Sequence, residues 1–335
     1  MINLQHIRYA VAVEEHGHFG RAARQLGVSQ PALSRAVQAL ETELGVAIFE
    51  RGRAGACLTE RGAVLLSLAR QVLLAAEDLE RESALLRQRE THTLNLTLAA
   101  YPAARSGQRA IGRLLAGRPE LSCHLHLARW QDALEALLLR DSDLALTELT
   151  DALLADSRLA TEPVSQAPGV FCCRAGHALL ATRRLTLDQL LTYPWASTRL
   201  PARAARFVNG SRSRAGRLDP RNMEFVPAVE VDDVGRIGEL VADCDALGLV
   251  TLSMVEGELE SGRLAVIPLT PDWLRLNYGF VHLARRTLSA PAQAYMQIVR
   301  EMEEEIATRE ASLWRRFVPG GDRPARAAAR PHTAP

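Results

Sequence analysis

"SQPALSRAVQALE", residues 29–41, decides how the first part of this chain is read. Ser29 is a helix-start residue, and Pro31 fits a first helical turn, where backbone amides have no intrahelical partner. Leu33, Val37, Leu40 and Leu44 follow at steps of four, three and four, which gathers them on one narrow side of a helix that must face a core. Pro31, Ser34, Arg35 and Gln38 then turn to the opposite side as short or forked hydrogen-bonding groups. No acid occurs between His16 and Leu40, while Arg21, Arg24 and Arg35 do, so a phosphate backbone can approach without like-charge repulsion.

Upstream, Leu4, Ile7, Ala10 and Val11 form the apolar stripe of a first helix that Gly17 ends. "FGRAARQLG", residues 19–27, reads as a short second helix with Ala22, Ala23 and Leu26 inward and Gly27 as its stop. Two helices joined by a tight turn make a helix-turn-helix, whose second helix enters the DNA major groove; a merely solvated helix face is the competing reading. Downstream, "VAIFERGRAGACLTERG", residues 46–62, alternates around Gly52 and Gly55 and reads as a β-hairpin. Arg51 and Arg53 at its tip suit a phosphate backbone or minor groove.

The run "FGRAARQLGVSQPALSRAVQALETELGVAIFERGRAGACLTERG", residues 19–62, resembles the winged helix-turn-helix of the LysR-type transcriptional regulators. The resemblance implies that Ser29, Gln30, Pro31, Ser34, Arg35 and Gln38 lie at the recognition helix and that Arg51 and Arg53 belong to the wing. Arg21 joins them as a candidate DNA contact on the second helix. The family usually has alanine and glycine after the threonine of "LT", whereas Glu60, Arg61 and Gly62 follow Thr59 here.

From Thr59 to about Arg89 no proline interrupts the chain, so one helix of around thirty residues would extend ~45 Å. Leu65, Ala69, Val72, Ala76, Leu79, Ser83 and Leu86 alternate steps of four and three, the seam of a coiled coil. Pairing of two subunits along it gives a solitary long helix a partner, with packing on its own chain as the alternative. A dyad-related dimer presents two recognition helices and predicts a roughly palindromic promoter site in double-stranded DNA. The resemblance adds that such dimers commonly pair into tetramers.

Beyond residue 90 strands alternate with helices, the pattern of an α/β domain. "TLNLTLAA", "LSCHLHLA", "DLALTEL", "GVFCCRA", "EFVPAVEV", "ALGLVTL" and "AVIPL" read as its strands. The region resembles the family's co-inducer-binding part, two Rossmann-like lobes like those of periplasmic binding proteins. The expected organisation is an all-α winged helix-turn-helix over 1–58, a linker helix over 59–90 and an effector-binding domain over 91–310. Its first lobe would take 91–162 and 268–310 and its second 163–267, and 311–335 would be a disordered tail.

A cleft between such lobes would hold an unidentified small-molecule effector at strand C-terminal ends. Tyr101, Pro102, Thr147, Glu148, Ser197, Thr198, Cys244 and Asp245 are the candidates. "AAYPAARSG", residues 99–107, lacks the serine or threonine with which the family usually opens its first helix there, so a carboxylate ligand loses a donor.

Composition bounds the rest. At 47% hydrophobic and 24% charged the chain reads as globular, and a net charge of +1 neither favours nor excludes nucleic acid. All 40 basic residues are arginine, a bias that codon composition explains as readily as chemistry. Seven arginines between 199 and 221 could hold an anion or another subunit, or form a solvated face. The odd cysteine count (Cys57, Cys123, Cys172, Cys173, Cys244) and the absence of ~18 consecutive apolar residues point to a reducing cytoplasm and no membrane contact. No set has zinc spacing, and Cys172 and Cys173 fall on opposite strand faces, which leaves an inert role or a redox-responsive one. No catalytic motif, cofactor or metal site is expected. The reading is a DNA-binding transcription regulator, with RNA polymerase admitted as a further partner. The rival is a small-molecule binding protein without a DNA role.

Overall fold

The computed structural model describes residues 2–50, 55–86, 93–208 and 213–318. They fall into two units, Met1–Glu90 and Thr91–Pro335. In the first, the Asn3 side chain accepts from the Gln5 amide and starts α1 (Leu4–His16), which Gly17 ends at φ +60°. His18 opens α2 (Phe19–Gln25), and Ser29, accepting from the Ala32 amide at 3.3 Å, opens α3 (Gln30–Leu44). Strands β1 (Phe49–Glu50) and β2 (Cys57–Leu58) pair antiparallel and lead into α4 (Glu60–Leu86). Ile7, Ala10, Val11, Ala22, Ala23, Leu33, Val37, Leu40, Ile48 and Leu66 close one core. Leu26, expected inward, is exposed, because α2 ends at Gln25 and leaves it in the turn before α3.

The second unit opens with β3 (Thr93–Leu98), then α5 (Ala100–Pro102), a π-helical turn over Ala103–Gly107, and α6 (Gln108–Ala116). Next come β4 (Ser122–Leu127), α7 (Trp130–Leu138), β5 (Leu144–Glu148), α8 (Asp151–Ala155) and β6 (Leu159–Pro168). The chain then enters its second sheet with β7 (Val170–Arg174), α9 (Leu187–Leu190), β8 (Trp195–Ser197) and α10 (Ala202–Ala205). β9 (Gly216–Leu218), β10 (Phe225–Pro227), β11 (Val229–Glu230), α11 (Ile237–Ala242), β12 (Leu247–Val250), α12 (Glu256–Glu260) and β13 (Leu264–Val266) follow. β14 (Arg275–Leu283) and α13 (Ala290–Phe317) complete it.

The two lobes repeat one topology. The first sheet runs β4-β3-β5-β14-β6 and the second β11-β8-β12-β7-β13, in each case three parallel strands followed by two that join antiparallel. Apolar residues cover both faces of each sheet, as expected of largely parallel strands packed between helices. Two segments cross between lobes and touch, the Gly169 amide donating to the Leu274 carbonyl at 2.8 Å.

Three boundaries differ from the sequence reading. The first lobe keeps the chain to Pro168 and regains it at Arg275, not at 162 and 268, because β6 and β14 pair along nine residue positions. The tail does not begin at 311: α13 continues to Phe317, since Leu313 and Trp314 are buried against the second sheet. Residues 319–335 lie outside the described residues.

At the start of α4 the Thr59 hydroxyl donates to the Ala47 carbonyl at 2.7 Å and accepts from the Gly62 amide at 2.8 Å, a cap that also fastens the hairpin. Gly62 is required by contact: a Cβ there would overlap the carbonyl of Ile48, which is backbone and cannot swing aside. Gly62→Ala should therefore destabilise the winged unit by ~1–3 kcal/mol as α4 is pushed off the hairpin. Thermal unfolding of the full chain measures this, and a wild-type profile would show that the hairpin yields freely.

Candidate functional site

On α3, Leu33, Val37 and Leu40 are buried while Ser29, Gln30, Pro31, Arg35 and Gln38 are exposed and Ser34 is half-buried, so the polar groups share the solvent side. Glu41, which sequence reasoning passed over, holds this helix against the hairpin, its Oε1 accepting from the Ile48 amide at 2.7 Å and the Phe49 amide at 3.1 Å. The signal was available: Glu41 is the first acid after a basic stretch. Arg21 is engaged elsewhere, donating from Nε (3.0 Å) and NH2 (2.6 Å) to the His16 carbonyl, where its charge complements the C-terminal end of α1. Arg51 and Arg53 lie outside the described residues.

Of the seam read on α4, Val72 and Leu79 are uncovered, whereas Ala69 packs on the core of its own unit. Leu66 is buried in the core of its own unit, and Ala69 and Leu73 pack on that core. The apolar side chains left uncovered are Val64 (63% exposed), Leu68 (54%), Val72 (48%) and Leu79 (72%). Leu65 and Ala76 are half-buried at the edge of this stripe, and the side chain of Leu86 lies outside the described residues. The first turns of α4 must seal the winged core, and that duty rotates the free face toward Val64 and Leu68.

In the second unit a cavity of about 610 Å³ opens between the lobes at strand C-terminal ends. Tyr101, Pro102, Thr147, Glu148 and Thr198 line it, as expected. Ser197 does not: it is fully buried, and its hydroxyl lies 3.1 Å from that of Tyr101. Tyr101 in turn donates to the Leu249 carbonyl at 2.6 Å, bridging the lobes. Burial raises its phenol above the ordinary range, Ser197 opposes the shift and the Glu148 charge adds to it. Cys244 and Asp245 are not at the cavity. They precede β12 and so sit at its N-terminal end, the wrong end of the strand; Asp245 pairs with Arg174 at 2.7 Å.

The sequence reading also missed Arg105. The π-helical turn after Pro102 delivers its guanidinium into the joint between the lobes, 4% exposed. It meets Glu310 at 2.6 Å and Glu303 at 3.1 Å, both on α13, and donates to Tyr278 and, across the lobes, to Thr251, each at 3.1 Å. Burial alone would lower its pKa, but Tyr278, Glu310 and Glu303 outweigh that and hold it above the usual arginine range. Glu303 and Glu310, seven residues apart, present one helix face to it, which is the signal a search for paired acids on α13 would have found.

The cysteines are free. Cys172 and Cys173 point to opposite sides of the second sheet, and burial pushes both thiols up to about 12, so neither carries appreciable thiolate. Among the described residues no helix is long and apolar enough to cross a membrane.

These features define a winged helix-turn-helix joined to a two-lobed ligand-binding unit. Residues 4–63 match the family model described as bacterial regulatory helix-turn-helix protein, lysR family, and residues 87–304 match the LysR substrate binding domain. The chain belongs to the LysR family of transcriptional regulators, with a DNA-binding helix-turn-helix and an effector-binding domain. A relative from Pseudomonas sp., "SDS degradation transcriptional activation protein", is 36% identical over 93% of this chain and 99% of its own. The fold is shared with a full-length OxyR variant from Pseudomonas aeruginosa (TM-score 0.60, 20% identity, 90% of this chain and 98% of that one). It is shared also with full-length CbnR complexed with its target DNA (TM-score 0.52, 19% identity, 90% and 100%).

Replacing Arg105 by methionine would leave Glu303 and Glu310 buried without their counter-charge. Arg105→Met should cost ~3–5 kcal/mol in chemical denaturation of the full chain. A midpoint equal to the wild type would mean that the two carboxylates need no guanidinium.

Proposed function

We propose that two copies of this chain pair through the uncovered stripe of α4 and set their α3 helices in the major groove of a roughly palindromic promoter site. A small molecule in the inter-lobe cavity then biases the arrangement. The observation that carries the DNA reading is the division of α3, with Leu33, Val37 and Leu40 buried and Gln30, Pro31, Arg35 and Gln38 turned to solvent. Arg51 and Arg53 are proposed as backbone contacts from the wing, and Arg21 as a group that shapes the interface through α1. Dimers that pair further into tetramers remain part of the proposal. The relative named as a transcriptional activation protein supports activation as the outcome; RNA polymerase is the further partner this proposal admits.

Electrophoretic mobility shift with the gene's own upstream region tests the reading, because a regulator binds it saturably and with steep salt dependence. Arg35→Ala should cost ~1–3 kcal/mol of affinity and relax preference at a single base position. Unaltered binding would remove Arg35 from the interface. Leu79→Asp places a charge in the α4 stripe and should halve the mass seen in sedimentation equilibrium of the dimer; a mass equal to the wild type would point to another pairing surface.

A further inference from the structure

We infer that the inter-lobe cavity of this chain takes an organic cation, an amine, guanidine or quaternary ammonium, rather than an anion. This rests on the reading of that cavity as the effector site. At about 610 Å³ it lies within the ~300–1,000 Å³ of small-molecule sites. Its described lining holds five carboxylates, Asp132, Glu148, Glu224, Glu230 and Asp232, and two guanidiniums, Arg129 and Arg199; with Glu230 spent on Arg199 and Glu148 engaged by a partner of its own, the balance is Asp132, Glu224 and Asp232 against Arg129. Arg199 is already committed to Glu230 at 2.7 Å and to Asp219 at 3.3 Å, so it has little charge left for an incoming anion.

Glu224 is the most telling group. Its side chain is nine-tenths buried, and its close donors are neutral amides, Gln131 Nε2 at 3.0 Å and Asn222 Nδ2 at 2.7 Å. The half-exposed guanidinium of Arg129 stands 3.8 Å away. Arg129 and, from further off, Arg199 offset part of the Glu224 charge, and the remainder adds negative potential at the cavity wall.

Two further buried polar atoms on residues of the cavity wall are unsatisfied among the described residues. Thr147 is 0% exposed, and its hydroxyl has no hydrogen-bond partner among the described residues. The Gln131 Oε1 is also unpartnered, and because its amide nitrogen donates to Glu224, the oxygen left over can only accept. A ligand rich in N–H donors satisfies it; a carboxylate or sulfate does not. Tyr101 and Trp130 line the same cavity, and aromatic rings attract cations.

The features that would favour an anion are weak here. Ala99 begins the first helix of the unit without a side-chain hydroxyl, and α5 runs for only three residues before the π-helical turn. The first turn of α7 carries Asp132, which offsets the positive end of that helix.

Calorimetric titration and melting of the full chain with agmatine, choline, succinate and hexyl sulfate decide the matter. Saturable binding and a raised melting point are expected with agmatine or choline and not with the two anions. Glu224→Gln should raise the Kd of the bound cation about tenfold, as loss of a charge-assisted contact does. Thr147→Val should raise it several-fold. Tighter binding of succinate or hexyl sulfate, weakened by Thr147→Val, would overturn the cation assignment and keep the effector cavity. Binding insensitive to both substitutions, or none by any probe, would overturn the cavity reading together with the inference.

Discussion

A single buried positive charge sets the geometry of the effector unit. Taking a guanidinium out of water is costly unless carboxylates and hydrogen-bond acceptors surround it. For Arg105 the two carboxylates come from α13, with hydroxyls from β14 and from the segment after β12, so its hydrogen bonds draw on both lobes. The Tyr101 hydroxyl adds a second bridge, from the opening helix of the first lobe to the Leu249 carbonyl and Ser197 of the second. The cavity has its shape because these two contacts and the Gly169–Leu274 crossing fix where its walls stand.

The winged unit depends on close approach and on one carboxylate. α4 begins against the hairpin, with Thr59 serving both elements and Gly62 lying where no side chain fits. Glu41 fastens the far half of α3 to the same hairpin through two backbone amides. The exposed side of α3 is oriented by the hairpin and by packing on α1 and α2, and a short helix that would be marginal alone becomes a firm carrier for Arg35 and Gln38.

Much of this was legible in the sequence where the signals are local. Ser29, Pro31 and the Leu33, Val37, Leu40 spacing specify α3 without reference to anything distant, and the structure has that helix and its buried side as read. Where partners are far apart in sequence, reading failed. β6 contains Pro163 and Pro168 and looks like a loop, yet it is an edge strand, where proline is tolerated, and its partner β14 lies more than a hundred residues on. The sequence carries no local sign that two glutamates of the acidic run in α13 face inward to a buried arginine. On α4 the heptad steps place Ala69 on a seam, while in the structure it joins Leu66 and Leu73 against the winged core. Cys244 and Asp245 read as residues at a strand C-terminal end, but β12 begins after them, at Leu247, and puts them at its N-terminal end.

The cavity walls explain why occupancy and lobe arrangement must be linked. Thr147, Glu148 and Gln131 belong to the first lobe, Thr198, Arg199, Glu224 and Glu230 to the second, and the Gln131–Glu224 hydrogen bond already spans them. A ligand that draws on Gln131 and Glu224 together binds in proportion to how well the lobes present both. Its affinity therefore differs between lobe arrangements, and that difference is the whole of the free energy available to shift them. Charge sharpens the dependence, because the carboxylates of the wall act over several ångströms and a small change in lobe separation alters their potential at the ligand more than it alters a neutral contact. A neutral ligand of the same size would fill the space and couple less strongly.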